Sequence, residues 1–494
     1  MAPRRPCPVL PDDIIQDEIF ARLPAKSALG CRCLSRAWAA ALSSDDFTDR
    51  HHSIHGDGGR LKFLRLLDYP NDDHGEEAKL YDVARAPLSM GIPIAVAADC
   101  FPPIITASWD PPPPAESCPI HPSLATMQCR GLVLLELMPT GIHFLYNPST
   151  GQRKTLPEGR TTGRRRAGDE VHRYASLGLG YDERVRRHKV VRVYYHAESR
   201  VVGPPTSVGC EVYVVNGAAQ SWRTVRSTPA GWLEPYTPSA FAQGHVYWLA
   251  HRKHPSPDGF RVPEVQEMII VSFSVCEEIF ATVPSPPSGM DGNTLHKRFC
   301  LAELDGRLCF FPGRSCDHDQ YRYDVWGLRG YGSSAVWDLC CRIDDCTASP
   351  EVNWVMRGRY KHYGCAKFIP LAIIGNGRHI VLTQADWPED IWVYSPSTGD
   401  IEMLLDLKSG DTDNVDTIFS QILVYEESVV CLGRQPCRDI ILTSSPSTQA
   451  LSLVLRLLPK RTLGMLMRVC RSWRTLVAAD IYFAQPALEL RGAS

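Results

Sequence analysis

The chain has 494 residues, more than one hydrophobic core usually holds, so two or more domains are expected. Its 53 basic and 55 acidic residues leave a formal net charge of −2, which gives no general pull toward nucleic acid or an anionic membrane. No run approaches the roughly twenty apolar residues of a membrane span, and MAPRRPCPVLPDD lacks the apolar core of a secretory signal, so the expected compartment is cytosol or nucleus.

Helical spacing dominates the first fifty residues. Ile15, Ile19 and Leu23 stack one turn apart, with Ile14 and Phe20 widening the stripe. Pro11 suits a first turn, Asp12 and Asp13 favour the positive end of the helix dipole, and Pro24 ends the pattern. Two shorter helical patterns follow, Ala25 to Leu34 and Arg36 to Leu42, the latter built on Trp38. Three short helices enclose little core, so their apolar faces need another surface. His51 to Arg60 reads as a linker or the exit of the last helix, and Leu61 to Leu67 as a first strand. Proline clusters around Pro102 and at Pro111 to Pro114 read as a surface loop, with a polyproline ligand as the alternative.

From Cys129 to about residue 435 the texture is short strands punctuated by turn residues. Tyr146-Asn-Pro-Ser-Thr-Gly151 recurs as Tyr394-Ser-Pro-Ser-Thr-Gly399, each between two strands. In this spacing Pro fixes φ in the turn and Gly supplies a positive φ, so both predict hairpins. Phe241 to Leu249 and Leu304 to Cys309 are two further strand–Gly–strand units. Repeated hairpins over some three hundred residues predict a β-propeller, with a β-sandwich pair as the alternative. Helical spacing returns at the end: Leu451, Leu455 and Leu458, then Leu463, Leu466 and Met467.

Eighteen cysteines invite a disulfide or zinc reading, but there is no Cys-x-x-Cys, and Cys316, His318, His362 and Cys365 lack ligand spacing. The thiols are expected to stay reduced and to pack as small hydrophobes, with no metal or cofactor. Phosphate-binding, nucleophile-elbow and His-Glu-x-x-His patterns are missing. The acid pairs Glu277/Glu278 and Asp344/Asp345 read as solvated carboxylates. Arg164, Arg165 and Arg166, with Arg186 and Arg187, put positive charge on two segments. These read as solvated hairpin loops or, if both lie on one face, as contacts for an acidic or phosphorylated target.

The N-terminal pattern resembles the F-box. The residues that carry it are Leu10, Pro11, Ile14, Ile15, Leu23, Pro24, Lys26, Ser27, Arg32, Cys33, Leu34, Ser35, Arg36, Trp38, Asp45 and Phe47. The resemblance implies docking on a Skp-family adaptor, and through it a cullin, with Leu10, Pro11, Ile14, Ile15, Ile19, Leu23, Pro24, Leu34 and Trp38 as adaptor-facing or bundle-holding residues. The strand units CRGLVLLEL, FLYNPSTGQRKTLP, LGYDERVRRHKVV, CEVYVVNGAAQSWRTV, FAQGHVYWLA and IIVSFSVCEEIFATVPSP resemble, in that order, the F-box-associated domains of plant F-box proteins, which are kelch-like propellers presumed to recruit targets.

A second, divergent F-box-like stretch runs from Leu453 to Phe483. Offset by 435 residues, Leu458 and Pro459 match Leu23 and Pro24, and Trp473 matches Trp38; Val469 opens the better-matching Val-Cys-Arg-Ser-Trp. Leu458, Pro459, Val469 and Trp473 would form a second docking site; a gene remnant and a helical clasp on the propeller are the other readings.

The expected architecture is multidomain α plus all-β: a three-helix F-box at 8–52, linker and first strands at 53–128, a β-propeller-like domain at 129–440, and a helical F-box-like segment at 446–490. The implied function is the substrate receptor of an SCF-type ubiquitin ligase, non-catalytic, with an unidentified target protein and neither nucleic-acid nor membrane partner. A β-propeller enzyme or small-molecule sensor is the alternative.

Overall fold

The computed structural model describes residues 19–32, 36–55, 60–68, 78–84, 96–100, 121–138, 141–159, 175–196, 207–234, 237–252, 268–287, 298–314, 322–330, 334–344, 368–375, 377–384, 390–406 and 419–432. A 3-10 turn at Phe20–Arg22 leads into α1 (Ala25–Cys31), α2 (Arg36–Ala41) and α3 (Asp45–His55). The predicted first helix, from Pro11, falls on described residues only at its last turn. The stretch from His51 resolves as helix as far as His55, so the linker reading does not hold there. Ser44 caps that helix, its Oγ accepting the Phe47 N–H at 3.1 Å, and Asp45 and Asp46 lie at the positive end of its dipole.

The strands form six antiparallel sheets, here blades 1 to 6. Blade 1 joins Arg60–Asp68, Ala78–Ala84 and Val96–Cys100 to Phe419–Val424, from the other end of the described chain. Blade 2 is His121–Leu124, Val133–Met138, Ile142–Asn147 and Gln152–Thr155. Blade 3 is Ala175–Asp182, Arg187–His196, Ser207–Val214 and Arg223–Val225. Blade 4 splits its inner strand into Trp232–Leu233 and Ala240–Ala242, then continues through His245–His251, Met268–Ser274 and Ile279–Val283. Blade 5 is Arg298–Leu304, Arg307–Arg314, Arg322–Arg329 and Val336–Asp344; blade 6 is Phe368–Ile374, His379–Gln384, Asp390–Ser395 and Asp400–Asp406.

Each blade touches the next, and blade 6 returns to blade 1 through Phe368–Ile374 against Phe419–Val424, so the sheets close a ring. That is a β-propeller; a two-layer sandwich has no such closure.

Side-chain alternation explains the ring. Successive residues of a strand face opposite sides, and here both sides are apolar. In the Arg60–Asp68 strand, Leu61 and Phe63 pack on Val381 and Ile391 of blade 6, while Leu64 and Leu66 pack on Val133 and Leu135 of blade 2. In the His245–His251 strand, Val246 and Trp248 face blade 3, and Tyr247 and Leu249 face blade 5. Six apolar clusters fill the six gaps between blades. Indole N–H groups add direct ties. Trp222 of blade 3 donates to the Pro157 carbonyl leaving blade 2, and Trp337 of blade 5 to the Pro284 carbonyl leaving blade 4, both at 2.7 Å.

Both predicted Pro-Ser-Thr-Gly hairpins form. Gly151 (φ 71°) donates to the Asn147 carbonyl and Gly399 (φ 78°) to the Ser395 carbonyl, each at 2.8 Å.

Phe310 is fully buried between blades 4 and 5, so Phe310→Ala should cost about 3–5 kcal/mol. Met403→Ala, at an exposed position of blade 6, should stay within about 0.5 kcal/mol. Urea unfolding midpoints of the two variants check the contrast.

Candidate functional site: the junction of helices and ring

The helices pack around Phe20, Leu23, Leu29, Trp38, Leu42 and Phe47. Ile19, Leu23 and Trp38 are buried here, Trp38 lying edge-on to Phe20 with ring centroids 4.9 Å apart. These three therefore hold the bundle, while Pro24 is exposed at the start of α1. Leu10, Pro11, Ile14, Ile15 and Leu34 lie outside the described residues, as do Leu458, Pro459, Val469 and Trp473. Helix α3 is tied to the first turn through two histidines one turn apart. His51 Nε2 donates to the Leu23 carbonyl at 3.0 Å and His55 Nε2 to that of Ala21 at 3.1 Å, their rings stacked 4.1 Å apart.

The outer face of α3 meets blades 2 and 3 through charge. Arg186 donates to Asp49 and to Asp46, each at 2.7 Å, and Arg187 to Asp45 at 2.7 Å. Arg130 lies 3.8 Å above the Tyr181 ring and 3.4 Å from Asp49, whose carboxylate also accepts the Tyr181 hydroxyl at 3.1 Å. Burial and then Asp49 push the Tyr181 hydroxyl up to about 12. Arg130 and Arg186 adopt left-handed backbone conformations, φ 46° and 54°, which cost a non-glycine residue of order 1 kcal/mol. They sit at the tips of turns that aim their guanidinium groups at α3.

Only one of the two basic segments found in the sequence lies among the described residues. Arg164, Arg165 and Arg166 lie outside the described residues. Ala175, the first described residue after them, pairs with Tyr194, at the far end of its strand from the turn that carries Arg186. Arg186 and Arg187 are occupied within the chain by the acids of α3. The solvated reading fails for Glu278, which accepts Lys189 at 2.8 Å and Arg223 at 2.6 and 2.7 Å, whereas Glu277 is exposed and pairs at the surface with Arg184. Asp344 ends a strand of blade 5, and Asp345 lies outside the described residues.

Sequence reasoning missed the third component, the strap 425–432 that follows the closing strand of blade 1. It runs between helices and ring. Asn147 is fully buried and donates both amide hydrogens to it, to the Ser428 carbonyl at 3.1 Å and the Val430 carbonyl at 2.9 Å. Glu427 accepts the Ala25 N–H at 2.7 Å and lies 3.4 Å from both Lys62 and His55. Burial works against its charge, yet Lys62, the Ala25 N–H, His55 and His51 together hold its carboxyl below the usual range. The one local signal was the unequal second residue of the two hairpins. Asn147 reaches the strap, whereas Ser395 bonds His379 instead.

Among the described residues no cluster of His, Cys, Asp and Glu is placed to hold a metal ion, and no helix is long and apolar enough to cross a membrane.

Comparison with known proteins gives two domain families. The F-box domain matches residues 8–50 and again 448–483, and the F-box associated beta propeller domain matches 115–338. The chain is 26% identical over 346 residues to F-box protein CPR1 of Arabidopsis thaliana, covering 66% of this chain and 71% of that protein. It is 22% identical over 351 residues to an F-box/kelch-repeat protein of the same plant, covering 69% and 72%.

The junction should loosen in acid. Burial, and then neighbouring His55, lower His51 to about 4; burial lowers His188, whose Nε2 donates to the Cys129 carbonyl, to about 3. An unfolded histidine takes its proton near 6.5. The unfolded chain therefore binds more protons below that value, and this contribution, complete above pH 6.5, is lost as pH falls toward the folded values. Unfolding midpoints should fall from pH 6.5 to 4, and less steeply in His188→Gln. Arg187→Asp should speed amide exchange in α3, and Asp45→Arg in the same chain should restore protection.

Proposed function

Because the chain carries an F-box domain and an F-box-associated β-propeller domain, we propose that it is the substrate receptor of an SCF-type cullin–RING ubiquitin ligase. The observation that carries this reading is a compact helical module seated on one end of a closed ring. Such a receptor works by tethering. The helices dock a Skp-family adaptor and through it a cullin, the ring holds the target, and the gain is effective concentration rather than bond chemistry. The receptor is non-catalytic and acts in cytosol or nucleus.

Strand direction divides the labour. His251 and Met268, and likewise Asp344 and Phe368, lie at the end of the ring away from the helices, and they flank two of the longest connections in the chain. The target surface is assigned to that end, because α3 and the strap occupy part of the other.

Leu23→Ala combined with Pro24→Ala removes a buried bundle residue and the exposed proline that opens α1. Recovery of adaptor and cullin with the purified chain should fall about tenfold or more. Removing residues 440–494 alone should leave recovery unchanged. A double variant that lacks 440–494 and still recovers adaptor and cullin would overturn the docking assignment.

A further inference from the structure

The helical module is small. Among the described residues its α-helices have 7, 6 and 11 residues, each below the roughly 12–15 at which an isolated helix becomes marginal in water. Such helices persist only where their apolar faces are covered. Part of that cover comes from beyond the ring: Val429, 4% exposed, is a member of the helical core, and Cys431 packs against it. Their neighbours Val430 and Leu432, the latter 1% exposed, point the other way and join the cluster between blades 2 and 3. From Glu427 to Leu432 the strap thus alternates as a strand does, giving odd positions to the helices and even positions to the ring, while Tyr425 packs between blades 1 and 2.

Hydrogen bonds fix the register of this alternation. The Ser428 N–H donates to Ser149 Oγ and the Leu432 N–H to Gln152 Oε1, both at 3.0 Å, and Asn216 donates to the Cys431 carbonyl at 2.7 Å. With the two Asn147 bonds, four ring side chains hold the strap in one alignment. A slip of one residue would send Val429 into the ring and Val430 into the helices. At its start the Tyr425 N–H donates to the Lys62 carbonyl at 3.0 Å, which carries the pairing with the Arg60–Asp68 strand one residue past the closing strand into the strap.

We infer that the adaptor-docking module is composite: residues 425–432, delivered by the closing strand of the propeller, complete the F-box and are required for adaptor binding. Val429 fills its core, and Glu427 supplies the acceptor for the first N–H of α1, where Pro24 provides no side-chain cap. Ring closure and adaptor docking are then one linked equilibrium, and a chain with an open blade 1 presents an incomplete module. The inference rests on the receptor reading given above, and it distinguishes this chain from one whose F-box hangs on a simple linker.

Full-length chains carrying Val429→Ser, Glu427→Gln or the exposed control Met403→Ala test it, with binding to a purified Skp-family adaptor and amide exchange as readouts. Val429→Ser should weaken adaptor binding about tenfold or more. It should also accelerate exchange in α1 and α3 while blades 4 to 6 keep their protection. Glu427→Gln should give a smaller loss centred on α1, and Met403→Ala none. Unchanged affinity and exchange in Val429→Ser would overturn the composite site. A wild-type chain that binds no adaptor would instead overturn the receptor reading, leaving the exchange data to report whether strap and helices are coupled.

Discussion

Phe63 pairs with Val424, and that pairing brings the two ends of the described chain into one sheet. Closure of the ring follows from the burial pattern: strands apolar on both faces need a neighbour on each side, and in a ring the first sheet is also the last. The ring needs its first and last sheets packed together, and this chain also ties them by returning a strand to its start. Here the returning strand is longer in its consequences than in its residues, because the strap that follows it is already positioned above blades 1 to 3. The helices that precede the ring and the strap that leaves it meet on the same end, where α1, α3 and Glu427 form one polar and apolar contact region.

Electrostatics at this junction orient more than they stabilise. The pairs between Asp45, Asp46 and Arg186, Arg187 are largely solvated, and exposed ion pairs contribute little each. Their value is geometric. Three acids on two turns of α3 engage turns of two blades, so rotation of the helix about its axis breaks several contacts together. Apolar packing through Val429 and the buried Asn147 bonds supply the cohesion, and the surface charges select one orientation of the helices on the ring.

Much of this was legible in residue order, for local reasons. The Pro-Ser-Thr-Gly hairpins carry their own turn chemistry, and Leu23-Pro24 with Trp38 marks a helical bundle whose partners lie close in sequence. What stayed hidden depends on distant partners. Ala78–Ala84 and Val96–Cys100 belong to a sheet whose inner strand lies at the opposite end of the described chain. In blade 5 a register shift between Val325 and Trp326 breaks the two-residue period, so Val336 and Leu339 are exposed while Trp337 is buried, and alternation gives no clean reading. Strap residues Val429 to Leu432 are apolar on both sides because they serve two modules, a pattern indistinguishable locally from an ordinary core strand. Arg186 and Arg187 read as a solvated hairpin loop or as target contacts because the acids that pair with them stand in α3, outside any local window.

The order of synthesis gives the strap a temporal meaning. At about 5–20 residues per second, the ribosome releases α3 roughly 20–75 s before it finishes the strap. Through that interval the helices lack Val429 and Glu427, and blade 1 lacks its inner strand. A segment made late thus finishes what was made first. A nascent or truncated chain carries the whole N-terminal motif in sequence without the packing that the strap supplies, so the fold itself distinguishes a chain that has reached the strap from a fragment.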